Sequence, residues 1–359
     1  MSAHISVSDY QIYIGNVEQT LLSFLSTNHY SQYFILVDEN TQQYCLPRIK
    51  NLHPTLQNAT IIAIKSGEAH KTIETTAQIW QQLLQNSADR RALLLNLGGG
   101  VIGDMGGFAA ATYKRGIDFI QVPTTLLSQV DASVGGKLGI DFGDIKNSIG
   151  SFANPKVVFV DTIFLQTLPF RQLRNGFAEV IKHALIADAH YWQQICQIAN
   201  LTNADWDIIV ATSLHIKKRV VEQDPKEQNV RKILNFGHTV GHAIESYSLT
   251  HDADPLLHGE AVAFGMIAEL FLAVEAGLLT VDVALPVVDW LTAMFGVHKV
   301  PQNALDTLLS LMLNDKKNAN GTIQFALVDK IGHAIFDQSF DTTIIRQVLA
   351  KCFVTDDVI

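Results

Sequence analysis

A run reading Asn235-Phe236-Gly237-His238-Thr239-Val240-Gly241-His242, followed by His258-Gly259-Glu260, sets three imidazoles among glycine, amide and carboxylate groups. His238 and His242 are four residues apart, so on a helix both rings share one face and can grip a divalent metal or a substrate. A lone histidine on an apolar helix face is ordinarily a satisfied core residue, and 13 histidines produce some clustering by chance. Three of them in two apolar helical stretches ask for more, although spacing alone leaves open which rings would bind. A catalytic zinc-type site needs a carboxylate beside two histidines, with one position left open. Glu179 is a candidate, on one face of a helical stretch with Lys182, though such a pair is ordinarily a surface pair. Lys217, Arg231 and Asn235 add cations and an amide suited to a substrate bearing carboxylate or phosphate.

Earlier in the chain, an apolar run ends in Gly98-Gly99-Gly100-Val101-Ile102-Gly103-Asp104, which satisfies the G-x-G-x-x-G pattern. Missing side chains let backbone approach a pyrophosphate, and a helix N-terminus there offers free N–H groups. The same glycines also suit an ordinary tight strand-to-helix turn. The usual dinucleotide arrangement wants an acid about 20 residues on, ending the next strand. Asp118 stands at that distance but precedes its strand, so an ordinary Rossmann arrangement is not expected. Downstream, Thr124-Thr125 end a strand, and Asp131, Gly135-Gly136-Lys137 and Lys146-Asn147 follow. Lysines beside exposed glycine backbone suit capture of an anion or nucleotide.

Those groups have to be carried by two differently patterned halves. Short branched runs at 34–37, 60–64, 92–97, 119–122 and 157–160 alternate with helical stretches such as 72–85 and 101–113. That alternation predicts an α/β domain with a mostly parallel, Rossmann-like sheet over residues 1–165. From about Pro169 helical spacing takes over, at 176–189, 205–222, 233–247 and 258–276, with one extended pair near 323–327 and 333–336. Residues 166–359 are therefore read as a mainly helical domain, with the active site expected in the interdomain cleft.

With 359 residues, 48% apolar and 17% charged, the chain has material for two cored domains. A net charge of −9 and no basic block beyond Lys217-Lys218-Arg219 argue against a nucleic-acid partner. Three unpaired, widely spaced cysteines read as free thiols, and no signal peptide is expected, so a cytoplasmic location follows. The most apolar stretch, 259–279, is interrupted by Glu260, Glu269 and Glu275 and is read as a buried helix, with no membrane partner.

Taken in order, the segments 98–104, Gly106-Gly107-Phe108, Tyr113-Lys114-Arg115-Gly116, 121–131, Gly135-Gly136-Lys137, 146–150, 178–182, 235–242, 258–262 and Asp315-Lys316-Lys317 resemble the dehydroquinate synthase family over nearly the whole chain. The resemblance implies a metal- and NAD-dependent lyase of the shikimate pathway. Its reaction turns 3-deoxy-arabino-heptulosonate 7-phosphate into 3-dehydroquinate and phosphate through transient oxidation, elimination, rereduction and an aldol-type closure. It assigns one zinc or cobalt ion to Glu179, His238 and His258 and leaves His242 to the substrate. Its NAD contacts fall on Asp38, Asn40, Glu68, Lys71, Gly99, Gly100, Val101, Asp104, Thr124, Thr125, Lys137 and Lys146, with Phe164 and Thr167 nearby. Substrate contacts fall on Arg115, Asp131, Lys137, Lys146, Asn147, Lys182, Lys217, Arg231, Asn235, His242 and one of Lys316 or Lys317. The family implies a homodimer, and the sequence nominates no separate base for the elimination beyond the substrate's own phosphate.

Five positions depart from the family pattern: Ser66 stands for an acid, Leu138-Gly139 for Thr-Ala, and Ile145 and Asn229 for glycines. Rival readings are a zinc peptidase, a polyol dehydrogenase using metal and NAD, and another sugar-phosphate cyclase. The peptidase is disfavoured because His238-Thr239-Val240-Gly241-His242 lacks the glutamate after the first histidine. A dehydrogenase would accumulate NADH.

Overall fold

The computed structural model describes residues 3–7, 9–143, 145–313 and 322–354. Among the described residues nine strands lie in the first half: β1 (Ala3–Val7), β2 (Tyr10–Ile14), β3 (Tyr33–Asp38), β4 (Thr60–Ile64), β5 (Leu93–Gly98), β6 (Asp118–Pro123), β7 (Lys137–Phe142), β8 (Ile145–Phe152) and β9 (Val157–Val160). Seven of these form one sheet in the order β1-β2-β9-β6-β5-β3-β4, and β7 and β8 pair separately as an antiparallel hairpin. Every pairing in the large sheet is parallel except β1 with β2. The central strand β5 is buried along its whole length, which is why 92–97 reads as a continuous apolar run with no alternation.

The chain divides into two compact units. One comprises Met1–Leu173 and Asp205–Lys218, the other Arg174–Ala204 and Arg219–Ile359. Two of the three divisions fall inside the helices Phe170–Ala187 and Trp206–Gln223, and the third, between Ala204 and Asp205, precedes the second of these. In the first unit two apolar clusters flank the sheet. One gathers Phe34, Leu94, Met105 and Phe108, and the other gathers Leu21, Ile35, Leu95 and Phe159.

The second unit is built from helices, among them His238–His251, His258–Glu275, Val281–Phe295, Ala304–Leu313 and Thr342–Phe353, with one hairpin of β10 (Phe325–Lys330) and β11 (His333–Gln338). The expected extended pair is this hairpin. The helix expected from residue 233 begins instead at His238. Gly237 sits at φ +80, in the left-handed region, and a 3-10 turn, Val230–Asn235, precedes it. No described helix is long and apolar enough to cross a membrane.

Candidate active site

Strand order puts the glycine loop where open α/β sheets commonly bind ligands. The sheet runs outward from β3 to β4 on one side and from β5 through β6 and β9 on the other, so it reverses between β3 and β5. Ligands of open α/β sheets bind beyond the carboxyl ends of strands at such a switch point. Asp38 closes β3 there and Gly98 closes β5. An acid missing from the usual position after the glycines thus stands instead at the end of β3, the strand beside β5 in the sheet, and Asp118, as expected, merely opens β6.

Gly99 is the N-cap of the helix Gly100–Thr112 and provides no side-chain cap, leaving its opening amides to a ligand or water. The loop has no room for larger residues. A Cβ at Gly98 would lie 2.5 Å from Ile102, and one at Gly99 3.1 Å from the Thr125 methyl. Gly106 lets the same helix settle on the sheet, where a Cβ would lie 2.0 Å from Asn96 Oδ1. Thr124 is held by its N–H to Gly98 O at 3.0 Å, and Thr125 Oγ1 bonds Ser128 Oγ at 2.9 Å. Val101 lies in the first turn of that helix, and Asn40 in the helix Glu39–Tyr44, which Asp38 caps through Thr41 N–H at 2.7 Å. Phe164 and Thr167 belong to the 3-10 turn Thr162–Thr167.

Lys71 ties several of these groups together. Its buried ammonium donates to Asp104 Oδ2 at 2.7 Å and to Asn147 Oδ1 at 2.6 Å, with Glu68 3.9 Å away. Burial works against the charged lysine, yet Asp104 and Glu68 push its pKa up to about 12. The Lys71 carbonyl accepts Asp141 N–H at 2.8 Å, and Asp141 Oδ1 accepts Asn147 N–H at 2.7 Å. The hairpin of β7 and β8, which carries Lys137, Lys146 and Asn147, is therefore clasped to the lysine by backbone and side chain. Asn147 adopts φ +49, a region asparagine tolerates.

Elsewhere in this unit Lys217, buried, pairs with Asp131 Oδ1 at 2.7 Å and donates to the Asp131 carbonyl. Asp131 lies in a π-helical turn, Ser128–Ala132, a local geometry frequent at functional sites. Arg115 is exposed at φ +69 in the turn that ends the Gly100–Thr112 helix.

The second unit gathers the histidines. Glu179 Oε1 is 3.5 Å from His238 Nε2 and 3.7 Å from His258 Nε2. Among the described residues, potential donor atoms of these three lie within 4.8 Å of one another. A tetrahedral ion with bonds of about 2.0–2.1 Å holds its donors roughly 3.3 Å apart, so this set fits a zinc or cobalt ion with little adjustment. Each ring is also turned for the task. His238 Nδ1 bonds Phe236 O at 3.1 Å, and His258 Nδ1 bonds Glu245 Oε2 at 3.3 Å, presenting both Nε2 atoms to Glu179.

Burial disfavours the charged form of His258, yet Glu179 and Glu245 push its pKa up to about 9, so the pocket favours positive charge at that point. His242 stands next to the group, its ring centroid 5.3 Å from that of His238 and 5.8 Å from that of His258. A second set of donors, His242, Glu245 and His258, shares one ring with the first. Lys182 pairs with Glu179, and both side chains are buried at 2% and 1% exposure, unlike the surface pair that i, i+3 spacing usually means.

His238 and His258 are each the first residue of a helix. The helix of His258 is fixed by Asn175, whose Oδ1 accepts Gly259 N–H at 2.6 Å, and by Arg174 to Glu260 at 2.8 Å. A Cβ at Gly259 would lie 1.9 Å from the Asn175 carbonyl, so only glycine allows this approach. Asn175 and Glu179 share the helix Phe170–Ala187, and the contact thus sets His258 against Glu179.

Arg231 is buried in a loop wound on one carboxylate. Asp224 accepts the N–H groups of Gln228, Asn229 and Arg231 at 3.0, 2.6 and 3.1 Å, and Arg231 Nη1 donates to Pro225 O at 2.7 Å. Asn235 Nδ2 donates to Glu227 Oε1 at 2.9 Å. Lys316 and Lys317 lie outside the described residues.

Sequence reasoning passed over Asn175, Asp224, Glu245 and Glu269. Glu245 was findable, since it follows His242 by three residues and His238 by seven on one helical face. Asn175 and Glu269 act on partners distant in sequence, whereas Asp224 winds a loop of its own near neighbours.

Four of the five departures find their places. Ser66 donates its hydroxyl to Glu39 at 2.6 Å and its amide at 2.9 Å, where an aspartate would face a like charge. Leu138 packs over Gly107, whose Cβ would lie 2.3 Å from it, and Gly139 lies against the Gly150 backbone across the hairpin. Asn229 needs only its N–H, which Asp224 takes.

Comparison with known proteins splits the chain near residue 175. A family model described as 3-dehydroquinate synthase N-terminal matches residues 61–175, and one described as 3-dehydroquinate synthase C-terminal matches 176–318. A 3-dehydroquinate synthase of Parabacteroides distasonis is 42% identical over 90% of this chain and 92% of its own length. The solved structure of a 2-deoxy-scyllo-inosose synthase, a complex with carbaglucose-6-phosphate, NAD+ and Co2+, superposes with a TM-score of 0.83 at 23% identity, over 98% of this chain and 100% of that one. A 2-epi-5-epi-valiolone synthase from Streptomyces hygroscopicus subsp. jinggangensis, with NAD+ and Zn2+ bound, does so at 0.80 and 25% identity, over 98% of each.

Proposed function

The chain belongs to the 3-dehydroquinate synthase family, and on that footing we infer that it converts 3-deoxy-D-arabino-heptulosonate 7-phosphate to 3-dehydroquinate and phosphate. The observation that carries this is the carboxylate and two imidazoles spaced for one ion, each ring oriented from behind, in a chain whose glycine loop closes a switch-point strand. The bound groups supply a reversible hydride acceptor, NAD, and a Lewis acid, a zinc or cobalt ion.

The chain's own residues do the rest. Glu179, His238 and His258 hold the metal. Asp38, Gly99, Gly100, Asp104, Thr124 and Thr125 hold NAD at the ends of β3, β5 and β6, and Lys71 neutralises Asp104 beside it. The cations nominated for the phosphate and carboxylate are Arg115, Lys137, Lys146, Lys182, Lys217 and Arg231. Once the substrate hydroxyl is oxidised, the adjacent C–H is acidic; its proton passes to the departing phosphate as the C–O bond breaks, and His242 relays protons in the later ring opening. Because the hydride returns, NAD is not consumed.

Phosphate release from the heptulosonate phosphate, with catalytic NAD and added metal and abolished by chelation, is the expected result. Steady NADH accumulation with a polyol would instead make the protein a dehydrogenase, and turnover of a different seven-carbon phosphate would make it another cyclase. We further place it in the cytoplasm, where its free thiols stay reduced, as a homodimer that light scattering will register.

A further inference from the structure

The helix His238–His251 has no cap of its own, since Gly237 before it lacks a side chain. Its opening amides need an acceptor from elsewhere. Glu269 provides one from the helix His258–Glu275: Oε2 accepts Gly237 N–H at 2.6 Å and Oε1 accepts Val240 N–H at 3.2 Å. Gly237 is the N-cap and Val240 the third helical residue, so a single carboxylate serves the two donors that a capping box satisfies with two side chains. The reach depends on backbone contact. A Cβ at Gly265 would lie 1.9 Å from the Gly237 carbonyl, and one at Gly237 would lie 2.5 Å from Met266. Glu269 is fully buried, at 0% exposure, a position in which a carboxylate is costly unless it is bonded.

We propose that Glu269 is a positioning residue for the metal centre. By capping the His238 helix from the helix that begins with His258, it locks the two histidine ligands into one rigid unit. Its fixed negative charge at the positive end of the His238 helix also offsets a field that opposes a cation there. Asn175 performs the matching service for His258, so the helix of Glu179 caps the helix of His258, which caps the helix of His238. The proposal rests on the metal reading given above.

The test is a Co2+ titration of the metal-stripped full-length protein, read by the visible ligand-field spectrum and by affinity, with NAD affinity and thermal unfolding measured alongside. Glu269→Gln turns one acceptor into a donor facing an amide, and is expected to weaken Co2+ binding roughly 10–100-fold and to alter the spectrum while NAD affinity holds. Glu269→Asp, which keeps the charge but draws it back, is expected to fall between parent and Glu269→Gln, and decides alone if Glu269→Gln does not fold. Parental affinity and spectrum in the folded variants, even with lowered thermal stability, overturn the proposal. His238→Ala is the control: parental Co2+ binding there overturns the metal reading itself.

Discussion

In the first unit the candidate polar groups hang from strand ends and a hairpin, with Asp38 closing β3, Thr124 just past β6, and Lys137 and Asn147 on β7 and β8. In the second they stand on helices, and two of the three metal-spaced residues open theirs. On the proposed function, the difference follows from what each half would hold. A dinucleotide is extended and meets backbone at many points, so a sheet edge with glycine turns suits it. An ion asks for a few atoms at fixed separations of a few ångströms, and packed helices whose ends are capped by their neighbours are stiff enough to keep them.

The sharpest way to break that division of labour is His258→Ala. It is expected to strip the metal and lower turnover ~1,000-fold or more, with NAD affinity intact, as metal analysis and calorimetry will show. Unchanged metal content would take His258 out of the ligand set. Lys71→Met tests the other half. It removes the buried cation beside Asp104 and is expected to cost about 3 kcal/mol in urea unfolding and to weaken NAD binding, while Co2+ binding stays parental. Loss of both ligands together would mean that the two halves are not separable in this way. His242→Ala sharpens the second half from within, with turnover expected to fall roughly 100-fold at full metal occupancy. If the metal is lost too, His242 and His238 or His258 have exchanged roles.

The smallest effect is expected in acid. Burial pushes the Asp224 carboxyl up, but the amides of Gln228, Asn229 and Arg231 outweigh it and hold its pKa below the ordinary value of 3.8. A depressed carboxylate contributes stability that is full above the unfolded value and is lost as pH falls through the folded one. The stability gap between parent and Asp224→Asn is therefore expected to narrow below about pH 4, and a gap independent of pH would remove the charge from the account.

Much of this was legible beforehand because it is local. Branched runs forecast β3 to β6 and β9, helical spacing forecast the helices that carry Glu179 and His258, and the glycines before Val101 marked a strand-to-helix turn. The hairpin of β7 and β8 escaped notice because its glycines and lysines read as loop, yet β-pairing across Gly139 and Gly150 orders it. The start of the His238 helix was misjudged because Ile233 and Leu234 continue the apolar period, whereas their turn is 3-10 and Gly237 breaks it.

The i, i+4 histidines were a true signal whose partners spacing could not name. Glu260 and Glu269 looked like interruptions of an apolar stretch. Burial makes them a salt-bridge partner and a helix cap.

The sequence by itself determined which residue types are present, the order of the elements and the resemblance that ties them to a family. These depend on neighbours within a few turns of chain. Which imidazoles face Glu179 and which acid stands near the glycine loop, left open by spacing and named only through the resemblance, and what caps the helices of His238 and His258, are matters of three dimensions. Each is a contact of a few ångströms between residues far apart in the chain, and hydrogen bonds and carboxylate–imidazole pairing depend on separation and orientation in space, which chain order does not give.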